Sequence, residues 1–275
     1  MQQLGLEGMP TRLFTCTPSK LTTWLDCPRR YRLTYVDRPA PAKGPAWAHN
    51  TVGAAAHLAL ARWWDLPADK RTGPAARGLL EGAWQTDGFA DEQQASRWKG
   101  HAGDMVERYA SDLDPEDEPV GIERTVAFKT ETLAVSGRVD RIDQRGDEVV
   151  IVDYKTGRSA LTQDDARGSL ALALYALAAA RTLRKPCTKV ELHHLPSGKV
   201  LSWEHTPETL ERHVGRAERI AAEVAAAADA DDFPARTSTV CGWCDFVRVC
   251  PEGMAASGGP KKPWAGLASE EPVAL

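Results

Sequence analysis

Hydrophobic and polar residues follow two periods along this chain. Between 120 and 155 the pattern is that of strands: "VGIERTVAFK" (120–129), "LAVSGRVDRID" (133–143) and "DEVVIVDYK" (147–155), separated by "TET" and "QRG". Connections that short join neighbouring strands, so the three form an antiparallel meander. "KVELHHL" (189–195) and "KVLSWEH" (199–205), around "PSG", add two more strands. Elsewhere the period is helical. "AHNTVGAAAHLALARWWDL" (48–66) repeats Ala56, Leu60 and Trp63 or Trp64 along one side. "QQASRWKGHAGDMVERYASDL" (93–113) sets Trp98, Ala102, Met105, Val106 and Tyr109 on a stripe that reads as helix packing rather than a cofactor site. "LALALYALAAARTL" (170–183) is a helix, and in "TPETLERHVGRAERIAAEVAAAA" (206–228) Thr206 caps, Pro207 fits the first turn and Leu210, Val214, Ala217, Ala221 and Val224 share a face. Near the start, Ser19 is the expected N-cap of a short helix carrying Leu21, Trp24, Leu25 and Tyr31, interrupted by Pro28.

The order helix, three strands, helix, strands, helix predicts an α/β fold in one domain over 19–251, with a helical insertion about 66–119 and flexible ends at 1–18 and 252–275. A chain of 275 residues, 43% hydrophobic, has enough apolar material for one large core, with or without an inserted lobe. Its longest apolar run, "SLALALYALAAA" (169–180), is short of a membrane span and no basic leader with a cleavage site precedes it, so a soluble cytoplasmic protein without membrane contact is expected. The net charge of −4 gives no global attraction to nucleic acid. DNA binding would need metal ions and local patches such as "CPRRYR" (27–32) and "KK" (261–262).

The strand "DEVVIVDYK" ends in an acid and a lysine two positions apart, so Asp153 and Lys155 project to one side and Tyr154 to the other. An isolated D-x-K is usually a surface ion pair. Here the preceding strand carries Asp140 and Asp143, and a hairpin brings one of them beside Asp153. Paired carboxylates repel unless a cation sits between them. Two acids and a lysine on one face suit phosphodiester cleavage: oxygen ligands hold Mg2+ or Mn2+, and the lysine orients water or stabilises the oxyanion. At a strand edge the backbone carbonyl of Tyr154 is a ready further ligand.

This D…(D/E)-x-K pattern across a hairpin resembles the PD-(D/E)XK nuclease superfamily, and "VGAAAH", "GRVDRID" and "IVDYKTG" resemble its RecB-like exonuclease branch. The resemblance implies a restriction-endonuclease-like core. It implies that His57 joins the metal site, that Asp140 and Asp153 are the metal-binding acids and that Lys155 is the catalytic lysine. Glu123 stands where many members have a further acid, against the alternative of a surface glutamate. Members usually carry Q-x-x-x-Y on the helix after the lysine strand; Tyr175 matches the tyrosine, while the glutamine position holds Ala171. Tyr175 is therefore a supporting residue or a helix core residue with a polar tip.

Cys241, Cys244 and Cys250 form C-x2-C-x5-C in "CGWCDFVRVC", three thiolates of the four that a closed site needs. Cys16, Cys27 and Cys187 lie upstream. The residues alone permit a zinc site as well as an iron-sulfur cluster. The resemblance to AddB-type and CRISPR-associated nucleases implies that Cys27, in its C-P context, completes a 4Fe-4S cluster with the other three, leaving Cys16 and Cys187 as buried thiols. Such a centre staples the two ends of the chain, and Arg29, Arg30, Arg32 and Trp243 beside it are either DNA contacts or a solvated face.

The function so implied is a metal-dependent DNA exonuclease acting on single strands or ends in repair or recombination. The alternatives are a non-catalytic DNA-binding or scaffold module on the same fold, or a zinc-binding interaction protein. No G-x-x-x-x-G-K-[ST] occurs, so unwinding would fall to a separate helicase.

Overall fold

The computed structural model describes residues 13–268. Strand β1 (Phe14–Cys16) leads into α1 (Pro18–Asp26) and α2 (Pro28–Tyr31), followed by a π-turn over Arg32–Val36. Helices α3 (Ala48–Trp64), α4 (Gly73–Ala83) and α5 (Glu92–Ser111) come next, then β2 (Gly121–Lys129), β3 (Leu133–Arg145) and β4 (Glu148–Lys155). After α6 (Gln163–Gly168) and α7 (Leu170–Leu183) the chain forms β5 (Lys189–His194), β6 (Lys199–Glu204), α8 (Pro207–Ala230) and α9 (Pro251–Ser257). The architecture is a mixed α/β fold with a six-stranded sheet among the described residues, consistent with a restriction-endonuclease-like core.

The meander expected from the pattern forms: β2 pairs β3 and β3 pairs β4, both antiparallel. The crossover through α6 and α7 then returns β5 parallel to β4, and β6 closes the far side antiparallel to β5. Helices cover both faces. Val152 and Tyr154 of β4 pack with α3, α4 and α5, whereas Val149 and Ile151 pack with α7. This period of two along a strand buried on both sides is why the run "VVIV" carries no polar residue. The helices of residues 66–119, the expected insertion, share one core with α3 and β4.

Three expectations about the ends are corrected. Residues 1–12 and 269–275 lie outside the described residues, but the remainder of both flanks expected to be flexible is built into the fold. β1 pairs parallel with Leu133–Val135 of β3, and Leu267 is buried while its carbonyl accepts Trp98 Nε1–H at 3.1 Å. The N-cap of α1 is Thr17, whose hydroxyl accepts the Lys20 N–H at 3.1 Å, rather than Ser19. Pro18 then fills the first helical position, where a missing N–H costs nothing.

The topology leaves a gap where chemistry is expected. Residues 134–135 pair with both β1 and β2, and residues 141–142 pair with both β2 and β4. A strand has two edges, so β1 and β4 share one of them, and between them the edge of β3 is open. β4 parts from β3 after the Arg141–Val152 pair and continues along β5 alone. Asp140 and Asp153 are the next residues of that register, at the mouth of the fork.

Candidate metal centre and cysteine cavity

At the fork the alternation of β3 breaks. Gly137 and Val139 face α7, and so does Ile142, while Arg141 turns to the other side and reaches Tyr109 of α5. Asp140 sits at this break. The pairing of β2 with β3 skips the Glu123–Asp140 position, and Glu123 adopts a left-handed φ of 46°, a conformation that side chains other than glycine and asparagine seldom take. Strain of this kind persists only where the surroundings hold it, and it gathers at functional sites.

The Asp140 carboxylate joins three segments. Its Oδ1 lies 3.2 Å from His57 Nδ1 on α3, its Oδ2 accepts the Tyr154 main-chain N–H at 2.8 Å, and ligand atoms of His57, Glu123 and Asp140 all come within 4.8 Å of one another. Helix α3 approaches closely because it is small there: a Cβ on Gly53 would stand 3.1 Å from Thr156 Oγ1, just past β4. A cleft of about 440 Å³ opens over these groups, bordered by Leu58 and Ala61 of α3 and by Arg138.

Asp153 and Lys155 do share a side, with Nζ 2.6 Å from Oδ2. Oδ2 is buried, and the Lys155 ammonium is its ion-pair partner. Asp153 is not part of the 4.8 Å group, although its charge is felt by His57. Burial raises the Asp153 pKa, Lys155 opposes the rise and Asp140 adds to it. Burial also raises Glu123, against the guanidinium of Arg138. Burial disfavours a charged His57, but the hydrogen bond to Asp140 and the charges of Asp140, Asp153 and Glu123 outweigh it and raise its pKa. One imidazole and a set of carboxylate oxygens fit a hard divalent cation such as Mg2+ or Mn2+.

Tyr175 on α7 lies against Gly137, where a Cβ would meet Cε1 at 2.5 Å, and both Asp153 and Asp140 act on its hydroxyl. Asp143 is elsewhere, paired with Arg141 Nε at 2.8 Å and with Arg145. A buried network unread in the sequence backs the fork: Tyr109 Oη is 2.7 Å from His193 Nδ1, and Arg141 reaches the hydroxyls of Tyr109 and Tyr154 at 3.4 and 3.5 Å. Arg138, also unread, pairs through Nε with Glu123 Oε2 at 2.7 Å. The only sequence signal for it was its place two residues before Asp140 in "GRVD".

Cys27, Cys241, Cys244 and Cys250 line a second cavity, of about 280 Å³. Main-chain N–H groups of Arg236, Ser238 and Gly253 point at the sulfurs of Cys27, Cys241 and Cys250 at 3.4, 3.3 and 3.4 Å. Donors so placed favour thiolates, and the donor set fits a thiolate-bound metal. Cys16 and Cys187 lie elsewhere and are buried, their pKa values pushed up by that burial to about 11 and about 12. The neighbouring arginines are mostly engaged. Arg29 pairs with Glu252 and donates to the Phe233 carbonyl, Arg30 pairs with Asp26, and Arg32 with Asp37 and Asp231. Trp243 packs on Trp47 at 5.3 Å.

Residues 15–251 match the family described as the PD-(D/E)XK nuclease superfamily. Among solved structures, a candidate exonuclease from Eubacterium rectale aligns at 10% identity with a TM-score of 0.39, over 69% of this chain and 86% of that one. No match is found among curated proteins. Among the described residues no helix is long and apolar enough to cross a membrane.

Gly137→Ala is expected to destabilise the fold by about 1–3 kcal/mol by forcing Tyr175 aside. The double variant Gly137→Ala/Tyr175→Ala should lack most of that penalty relative to Tyr175→Ala alone, a coupling that urea titrations of the four proteins measure.

Proposed function

This chain belongs to the PD-(D/E)XK nuclease superfamily, and on that premise we propose that it is a metal-dependent DNA exonuclease of the RecB-like branch with an AddB-type 4Fe-4S cluster, forming one domain. The observation that carries the nuclease reading is the fork itself, where Asp140, held by His57 and the Tyr154 N–H, meets Glu123 beside the Asp153–Lys155 pair. His57, Asp140, Asp153 and the main-chain carbonyl of Tyr154, with Glu123 alongside, would hold Mg2+ or Mn2+, which supplies positive charge to the phosphate and a more acidic water. Lys155, half exposed on the same side as Asp153, places its ammonium where charge develops on the phosphate oxygens. His57 keeps Asp140 oriented through Nδ1, and Tyr175 buttresses β3 from α7. Departure of the usual glutamine, replaced by Ala171, removes none of these groups.

For the cysteines, iron-sulfur is favoured over zinc by the wide gap in C-x2-C-x5-C and by the C-P context of Cys27, and all four border one cavity. The substrate is DNA, as single strands or ends, in repair or recombination, with unwinding left to a partner helicase.

Anaerobic protein assayed on end-labelled single- and double-stranded DNA should cleave with Mg2+ or Mn2+ and not in chelator. Asp140→Asn and Asp153→Ala should abolish cleavage; Lys155→Ala should slow it by about two to three orders of magnitude while metal affinity holds. Cleavage at the wild-type rate by Asp153→Ala would assign the activity to a contaminant. The same preparation should be brown and contain iron and sulfide. Cys→Ala at 27, 241, 244 or 250 should bleach it, whereas Cys187→Ala should not, and a colourless, active preparation with stoichiometric zinc would replace the cluster by zinc.

A further inference from the structure

We propose that Arg138 grips a phosphate of the nucleic-acid strand, and that Glu123 holds it back until a divalent ion engages Glu123. The inference rests on the nuclease reading above and extends it to how metal and strand binding are linked.

Arg138 and Glu123 border the cleft over His57 and Asp140. The arginine side chain is 70% exposed, and the contact with Glu123 is made through Nε at 2.7 Å. Glu123 in turn has an oxygen within 4.8 Å of the ligand atoms of His57 and Asp140, so one carboxylate faces both the cation site and the guanidinium. Its backbone is left-handed, at a φ of 46°. A phosphodiester entering this cleft meets Glu123, Asp140 and Asp153, and repulsion opposes it unless cations are released toward it. The two cations at the mouth each belong to an acid: Lys155 to Asp153 and Arg138 to Glu123. A divalent ion that takes the carboxylate oxygens weakens both attachments together. A guanidinium freed at the cleft rim has a planar fork that matches phosphate oxygens as well as it matched a carboxylate. Metal binding then raises strand affinity, and Arg138 is the residue that conveys the gain.

Fluorescence anisotropy of a labelled single strand of about 12 nucleotides, in Ca2+ as an ion without catalysis or in EDTA, tests this. Wild type should bind more tightly in Ca2+. Arg138→Gln should lose about fivefold to tenfold in Ca2+, with a salt slope shallower by about 0.7, the value for one phosphate contact on a single strand, and should match wild type in EDTA. Glu123→Gln should raise the affinity in EDTA, because Arg138 is released without an ion. Arg138→Lys should keep the salt slope and lose part of the affinity. Melting curves check that each variant is folded. Equal affinity and slope for wild type and Arg138→Gln in Ca2+, or an equal loss in EDTA, would overturn the proposal and leave the nuclease reading standing. A wild-type protein that bound no strand under either condition would overturn both.

Discussion

The Asp140 carboxylate is the joint on which the site depends. One oxygen reaches α3 through His57, the other takes the Tyr154 N–H that β3 no longer supplies with a carbonyl partner, and the same group stands against Glu123 of β2. A hydrogen bond to a charged group contributes about 1.5–3 kcal/mol, so two of them fasten a helix and a strand to a sheet that has opened. Without a metal, three acids of like charge share the fork, and each has a base: Asp140 with His57, Asp153 with Lys155, Glu123 with Arg138. On the proposal above, a divalent ion would loosen Lys155 from Asp153 and Arg138 from Glu123, while His57 stays with Asp140.

The cysteine cavity is tied to that joint through α3. Asp245, between Cys244 and Phe246, accepts Trp47 Nε1–H at 2.8 Å, and its carbonyl accepts the Gly44 N–H at 2.8 Å. Trp47 is the N-cap of α3, which carries His57 ten residues on. Apolar packing also joins α1 to the segment after α8, since Phe233 lies edge-on to Trp24 at 6.1 Å and under the Arg32 guanidinium. The segments around Cys27 and Cys241 are thus brought together by core contacts and by Arg29, and the four cysteines line the cavity between them.

The meander, its flanking helices and the shared side of Asp153 and Lys155 were legible because β-branched runs, tight turns and a period of two leave little freedom. The open edge of β3 was not. β1 has three residues, too few to show a period, and its pairing is fixed by tertiary contact. The turn-over at Asp140 and the left-handed Glu123 have no residue signature, since glycine or asparagine normally marks such a conformation. Arg29 read as free because its partner Glu252 is remote in sequence, whereas Arg32 has Asp37 five residues on as well as the remote Asp231. Thr17 was within reach: the Pro18 that follows it is the usual mark of a first helical turn.

The most direct measurement is anomalous diffraction from crystals soaked in Mn2+ in the absence of DNA. The account predicts a single strong peak at the fork, within coordinating distance of Asp140 and His57, with Lys155 displaced from Asp153. A fork that stayed empty at saturating Mn2+, with the Asp140–His57 and Asp153–Lys155 contacts intact, would contradict it.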